Sequence, residues 1–182
     1  MPAAATELLS ASTGLAPVWR PDARLLILGS LPGQASLKAA QYYAHPRNQF
    51  WPLMQALFAI DTQLAYADRL LALQHQQVAL WDLIQSAKRP GSLDSAIDPA
   101  SVRLNDLARL LTQLPQLQAV WLNGGTAYRH WQQLSRQLTL PAGLQIHALP
   151  STSPAHASQS FAQKLQQWQL AAAQLVLSPL HR

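Results

Sequence analysis

Four short aliphatic runs, each cut off by small or polar turn residues, leave this chain few ways to fold. The first is Arg24-Leu25-Leu26-Ile27-Leu28, closed by Gly29, and the second is Gln77-Val78-Ala79-Leu80-Trp81, which stops at Asp82. The third, Ala119-Val120-Trp121-Leu122, ends at Asn123-Gly124-Gly125, and the fourth, Leu144 to Leu149, ends at Pro150-Ser151. Unbroken runs of this length suit strands buried on both faces, as in a parallel sheet. Helical periodicities lie between and after them, over about 48–58, 63–74, 104–114 and 126–138, with a last one from Ser158 to about Leu175. Ser158 is the expected N-cap of that last helix, and Pro179 marks its end. Strands alternating with helices predict an α/β fold, a three-layer α/β/α sandwich around a four-stranded, mostly parallel sheet. Residues 1–20 read as a peripheral arm, 21–182 as a single domain, and 85–100 as a long ordered loop rich in Pro, Gly and Ser.

Composition narrows the chemistry. With 49% hydrophobic residues in 182 the chain is no disordered segment, yet no apolar run approaches the ~18–20 residues that span a bilayer. The start, MPAAATELLS, has no basic region ahead of its apolar residues and carries Glu7, so no secretory signal is expected and a cytoplasmic location is. Zero cysteines exclude disulfides, thiolate nucleophiles, iron–sulfur clusters and thiolate zinc sites. None of the six histidines has the spacing of a helical zinc pair, so no metal is expected. Thirteen Lys and Arg against eight acids, a net charge of +5, suit a polyanionic partner or simply an alkaline soluble protein.

In open parallel sheets, ligands bind beyond the carboxyl ends of the strands. That selects Gly29-Ser30-Leu31-Pro32-Gly33, Asp82 and its following loop, Asn123-Gly124-Gly125, and Pro150-Ser151-Thr152-Ser153-Pro154. None is a Walker loop or a dinucleotide fingerprint. The first loop runs on into Tyr42-Tyr43-Ala44-His45-Pro46-Arg47-Asn48-Gln49-Phe50-Trp51, where polar and aromatic groups crowd ahead of a helix. Asn48 fits two roles equally, helix cap or site residue. Asp82 is the one acid directly at a strand's carboxyl end, which disfavours a two-carboxylate hydrolase. It reads first as a turn cap and second as a catalytic group. His45 and His156 fit either the site or a packed loop. The hydroxyls of Ser151, Thr152 and Ser153, ahead of the last helix, fit a phosphate or an ordinary capping turn.

Taken together, these blocks resemble the uracil-DNA glycosylase superfamily, and within it the hypoxanthine-DNA (deoxyinosine) glycosylase branch. The resemblance is carried by Leu28-Gly29-Ser30-Leu31-Pro32-Gly33, by Tyr43-Ala44-His45-Pro46-Arg47-Asn48-Gln49-Phe50-Trp51 and by Leu149-Pro150-Ser151-Thr152-Ser153-Pro154-Ala155. Trp81-Asp82 and Arg89-Pro90-Gly91-Ser92-Leu93-Asp94 also fit the deoxyinosine branch. Leu31 stands where the mismatch-specific branch carries its catalytic asparagine, and the resemblance then implies Asn48 as the catalytic group. It further implies hydrolysis of the N-glycosidic bond of a deaminated base, chiefly hypoxanthine, flipped out of DNA, with no cofactor and as a monomer. Base contacts are expected from Gly29, Ser30, Gly33, Tyr43, Asp82 and Asn123, with Tyr42 a weaker stacking candidate than Tyr43. DNA contacts are expected from Arg47, Ser151, Thr152, Ser153 and His156. His156 is the bulky neighbour of Ala155, where related enzymes place an arginine wedge. The alternatives are a uracil or thymine-mismatch glycosylase, a non-catalytic DNA-binding module of the same fold, and a small-molecule α/β hydrolase or nucleotide binder.

Overall fold

The computed structural model describes residues 10–175. Its strands are β1 (Ser12–Thr13), β2 (Leu25–Gly29), β3 (Val78–Asp82), β4 (Ile84–Ala87), β5 (Arg103–Leu104), β6 (Ala119–Asn123) and β7 (Gln145–Leu149). Its α-helices are α1 (Gln34–Ala39), α2 (Phe50–Phe58), α3 (Tyr66–His75), α4 (Leu107–Thr112), α5 (Gly125–Leu134) and α6 (Phe161–Ala172). The four aliphatic runs form one parallel sheet in the order β3-β2-β6-β7.

The uninterrupted runs follow from burial on both sides. Leu25 and Ile27 of β2 face a core built with Phe50, Leu53 and Met54 of α2, Leu73 of α3 and Trp168 of α6. Leu26 and Leu28, pointing the other way, face Leu107, Leu110 and Leu111 of α4 and Ala127 and Trp131 of α5. In β2 and β6 strand alternation thus gives two apolar faces, and helices cover both, whereas β7 at the sheet edge is only partly buried. The result is the expected three-layer sandwich.

Register aligns the strand tips. Gly29 sits opposite Asp82, Leu28 opposite Leu122, and Asn123 opposite Leu149. The chain leaves β2 for β3 on one side and later places β6 on the other, so the order reverses between β2 and β6. A crevice at such a switch point is the usual ligand site of an open α/β sheet.

Several expectations are corrected. The 85–100 stretch opens with β4, which pairs antiparallel with β1 and β5 in a second small sheet, and continues through short 3-10 turns at 94–96 and 99–101. Leu31, Ile84 and Ala87 form the core beneath that sheet. The last helix begins later than expected. Ser160, not Ser158, is its N-cap, in a reciprocal capping box with Gln163. Pro179 lies outside the described residues. The part of the arm that is described is stitched down: Val18 bridges Leu80, and the Tyr42 hydroxyl donates to the Ala16 carbonyl at 2.9 Å. Among the described residues no helix is long and apolar enough to cross a membrane.

Candidate active site

The loops beyond the four aligned strand tips close around one pocket. Its lining includes Gly29, Ser30, Tyr43, Asn48, Asp82, Asp94, Asn123 and Ser151, together with His45 and Ser153. Segments as far apart in the chain as Gly29 and Ser153 are thus brought to the switch point.

Tyr43 enters the pocket through an unusual backbone. Its φ of 55° is left-handed, a conformation disfavoured for a residue with a β-carbon. The turn is held from outside by the Ser36 hydroxyl, which accepts the Ala44 N–H at 3.1 Å. Phe50 stacks beneath the Tyr43 ring with centroids 3.9 Å apart. The Tyr43 hydroxyl is buried beside the Asn123 side chain, and burial together with the nearby Asp82 charge pushes its ionisation well above the usual tyrosine range, with Asn123 opposing. Tyr42 takes a different part. Its side chain is core, its N–H donates to the Tyr66 hydroxyl, and its carbonyl accepts the Trp51 indole N–H. Tyr42 therefore anchors the turn, and the stacking candidacy passes to Tyr43 alone.

Asn48 is not the cap of α2, which is Gln49, but it stands beside the cap and at the pocket. Its side-chain oxygen accepts the Phe50 N–H at 3.0 Å, fixing the start of α2 from the position before the cap, Gln49. The same carboxamide lines the pocket. One hydrogen bond fixes its orientation and leaves a second lone pair and the amide N–H donors free to hold a solvent molecule.

Asp82 does not cap a turn. Its backbone carbonyl accepts the Asn105 side-chain N–H, while its carboxyl is buried against Gly29 with Oδ2 unpartnered. A β-carbon at residue 29 would overlap that carboxyl and crowd the Tyr43 hydroxyl, which explains why glycine stands there. Burial first, then the neighbouring Asp94 charge, raise the Asp82 pKa to about 7, with Arg89 opposing.

Asp94 corrects the expectation that only one acid reaches the site. The segment after β4 folds back so that Asp94 lines the pocket, accepting the Ser30 hydroxyl at 2.6 Å and facing Arg89 at 3.7 Å. Arg89, 3% exposed, donates to the carbonyls of Leu31 and Pro32 and so pins the first loop. From the same segment the Ser92 hydroxyl accepts the N–H of Gln34, next to Gly33. Sequence position hid this group because it arrives through a long connection. The Arg89-to-Asp94 block was the available signal.

Asn123 and Thr152 form a clamp. Asn123 donates to the Thr152 hydroxyl at 3.0 Å and accepts its N–H at 2.9 Å, joining β6 to the last loop. Thr152 is 1% exposed, and its carbonyl accepts the Gln49 N–H. Thr152 therefore holds the loop in place and does not reach a phosphate, contrary to expectation. Ser151 and Ser153 stay at the pocket; each hydroxyl accepts a backbone N–H and keeps its own proton to donate. Gly124, with φ 103°, passes so close to Ser151 that a β-carbon would collide with it. Arg47 is exposed, between the pocket-lining residues His45 and Asn48 in the chain, and the His45 Nδ1 accepts its N–H. His156 is half-buried; its carbonyl accepts a hydrogen bond from buried Lys164.

Known proteins resemble this chain in sequence and fold. The model of the uracil DNA glycosylase superfamily matches residues 16–176. A hypoxanthine DNA glycosylase of Methanosarcina barkeri is 38% identical over 112 residues, 61% of this chain and 70% of that protein. A hypoxanthine DNA glycosylase of Methanosarcina acetivorans is 35% identical over 136 residues, 74% of this chain and 82% of that protein. The solution structure of a Methanosarcina acetivorans protein described as a candidate uracil DNA glycosylase superposes with a TM-score of 0.75 at 29% identity, covering 90% of this chain and 98% of that one. With its strand-tip pocket and a family match over nearly its whole length, this chain belongs to the uracil DNA glycosylase superfamily.

Proposed function

We propose that the protein is a DNA glycosylase that hydrolyses the N-glycosidic bond of deaminated bases, chiefly hypoxanthine in deoxyinosine. The observation that carries this reading is the meeting of Asn48, Tyr43 and the first and last loops at one pocket between β2 and β6. The names of the two Methanosarcina relatives point to the same base.

The sugar's C1′ is shielded inside the duplex, so the target nucleotide must be flipped out, at a cost of a few kcal/mol. The extruded base stacks on the Tyr43 ring, which Phe50 backs from below. Asn48 holds the attacking water through its carboxamide. An amide is a poor base, so its contribution is positioning rather than proton abstraction. Backbone N–H groups of the Gly29–Gly33 loop and the Ser30 hydroxyl orient base and water, and Asn123 shapes the pocket wall. Ser151 and Ser153 donate to flanking phosphates, with Arg47 adding positive charge and His156 a further DNA contact. No cofactor is required for this hydrolysis.

A panel of duplexes carrying deoxyinosine, deoxyuridine, a G·T mismatch or deoxyxanthosine, treated with alkali to cut abasic sites, tests the reading. Deoxyinosine is expected to be cleaved fastest. Binding to all four without any abasic product would overturn it. Tyr43→Ala is expected to lower single-turnover cleavage about 10- to 100-fold, since base–aromatic stacking contributes about 1–3 kcal/mol. Tyr43→Phe, which keeps the ring, stays close to wild type. Equal losses in both variants would contradict stacking.

A further inference from the structure

The geometry points to Asp82 as the general acid that protonates a ring nitrogen of the departing purine. This rests on the proposed purine glycosylase reading and adds a leaving-group role to it.

The carboxyl of Asp82 is a buried acid of the pocket whose Oδ2 no hydrogen bond in the described fold engages. Asp94 is held by the Ser30 hydroxyl and by Arg89, whereas Asp82 Oδ2 has no partner and is 4% exposed. The carboxyl stands at the tip of β3 directly beside Gly29, whose missing β-carbon makes room for it. Tyr43, the proposed stacking surface, lies against the same glycine with its hydroxyl, so a base on that ring presents its edge close to Asp82. The groups facing the carboxyl are Asp94 and Arg89 from the segment after β4, and Tyr42 and Tyr43 from the turn before α2, with His45 also on the pocket wall. Burial and the Asp94 charge favour its neutral form, Arg89 opposes them, and the balance lies at about 7, where a carboxylic acid can donate at neutral pH.

The step balances without any further reactant. The C1′–N9 bond breaks and its electron pair goes to the purine. The Asp82 proton moves to N7 or N3 of the ring as that charge develops. The water held by Asn48 adds to C1′ and releases a proton, which returns Asp82 to its acid form. The products are neutral hypoxanthine and an abasic sugar.

The test uses the full chain in single-turnover cleavage of a deoxyinosine duplex across pH. Wild type is expected to lose rate about tenfold per pH unit above about 7, because the reactive form is the protonated one. Asp82→Asn is expected to be slower by about 10²-fold below pH 7 and to lose that basic limb. Asp94→Asn, which removes the charge that holds the Asp82 proton on, shifts the limb to lower pH. Duplexes containing 7-deaza- or 3-deaza-deoxyinosine complete the cycle. On the analogue lacking the protonated nitrogen, the gap between wild type and Asp82→Asn closes. An unchanged basic limb in Asp82→Asn, an unmoved limb in Asp94→Asn, or a full gap on both analogues overturns the role. Absence of deoxyinosine cleavage by wild type would instead reject the function on which it rests.

Discussion

Replacing Asn48 by alanine is expected to lower single-turnover cleavage of deoxyinosine about 10²–10³-fold, the cost of losing one positioned polar group at a reacting centre. The fold should survive. Asn48 contributes one backbone-directed hydrogen bond, to the Phe50 N–H, and losing such a cap-like contact costs about 1 kcal/mol. Asn48→Ser separates the two duties. A serine oxygen can still accept the Phe50 N–H and restore the melting temperature, yet it does not reach as far or offer an amide donor. Cleavage should therefore stay low in Asn48→Ser although stability returns. A serine variant with wild-type rate would reduce Asn48 to a structural cap.

The largest expected loss of stability follows from Trp168→Ala, about 3–5 kcal/mol. Trp168 is fully buried, packs edge-on against Trp121 with centroids 5.6 Å apart, and donates its indole N–H to the Pro150 carbonyl at 3.2 Å. Truncation leaves a cavity beside the sheet and frees the residue that starts the last active-site loop. Denaturant unfolding should show the lost stability, and cleavage should fall as Ser151 and Ser153 lose their fixed position. A loss below about 1 kcal/mol would mean that the core closes over the gap and that α6 does not hold this loop.

β2, β3 and β6 were legible because burial on both faces writes itself as uninterrupted aliphatic sequence, whereas β7, a partly buried edge strand, interrupts its run with Gln145 and His147; the tips were legible as Gly29, Asp82, Asn123 and Pro150. The small second sheet was not. β1 and β5 have two residues each, too few for any period to emerge, and β4 follows β3 after a single residue, Leu83. α1, six residues long, carries no helical pattern for the same reason. Within the site, Tyr43 and Asn48 were legible as part of one dense block. What separates Tyr43 from Tyr42 is a left-handed backbone angle, and what separates Ser151 and Ser153 from Thr152 is which hydroxyl turns inward to Asn123. Neither is a property of residue type. Leu31 packs under the second sheet with Ile84 and Ala87 and also lines the pocket, and its aliphatic side chain offers water no hydrogen bond there. Asp94 reaches the pocket, with Arg89 behind it, only because the chain after β4 doubles back, so counting acids at strand ends missed one.

The central claim is that Asn48 holds water against the sugar of a purine lodged between the strand tips. A crystal structure of the wild-type protein with a duplex containing 2′-fluoro-deoxyinosine, whose glycosidic bond resists cleavage, tests it most directly. The extruded base is expected against Tyr43, its edge beside Asp82, with an ordered water bonded to the Asn48 carboxamide and facing C1′. A base lodged outside this pocket, or an Asn48 side chain with no water between it and C1′, would contradict it.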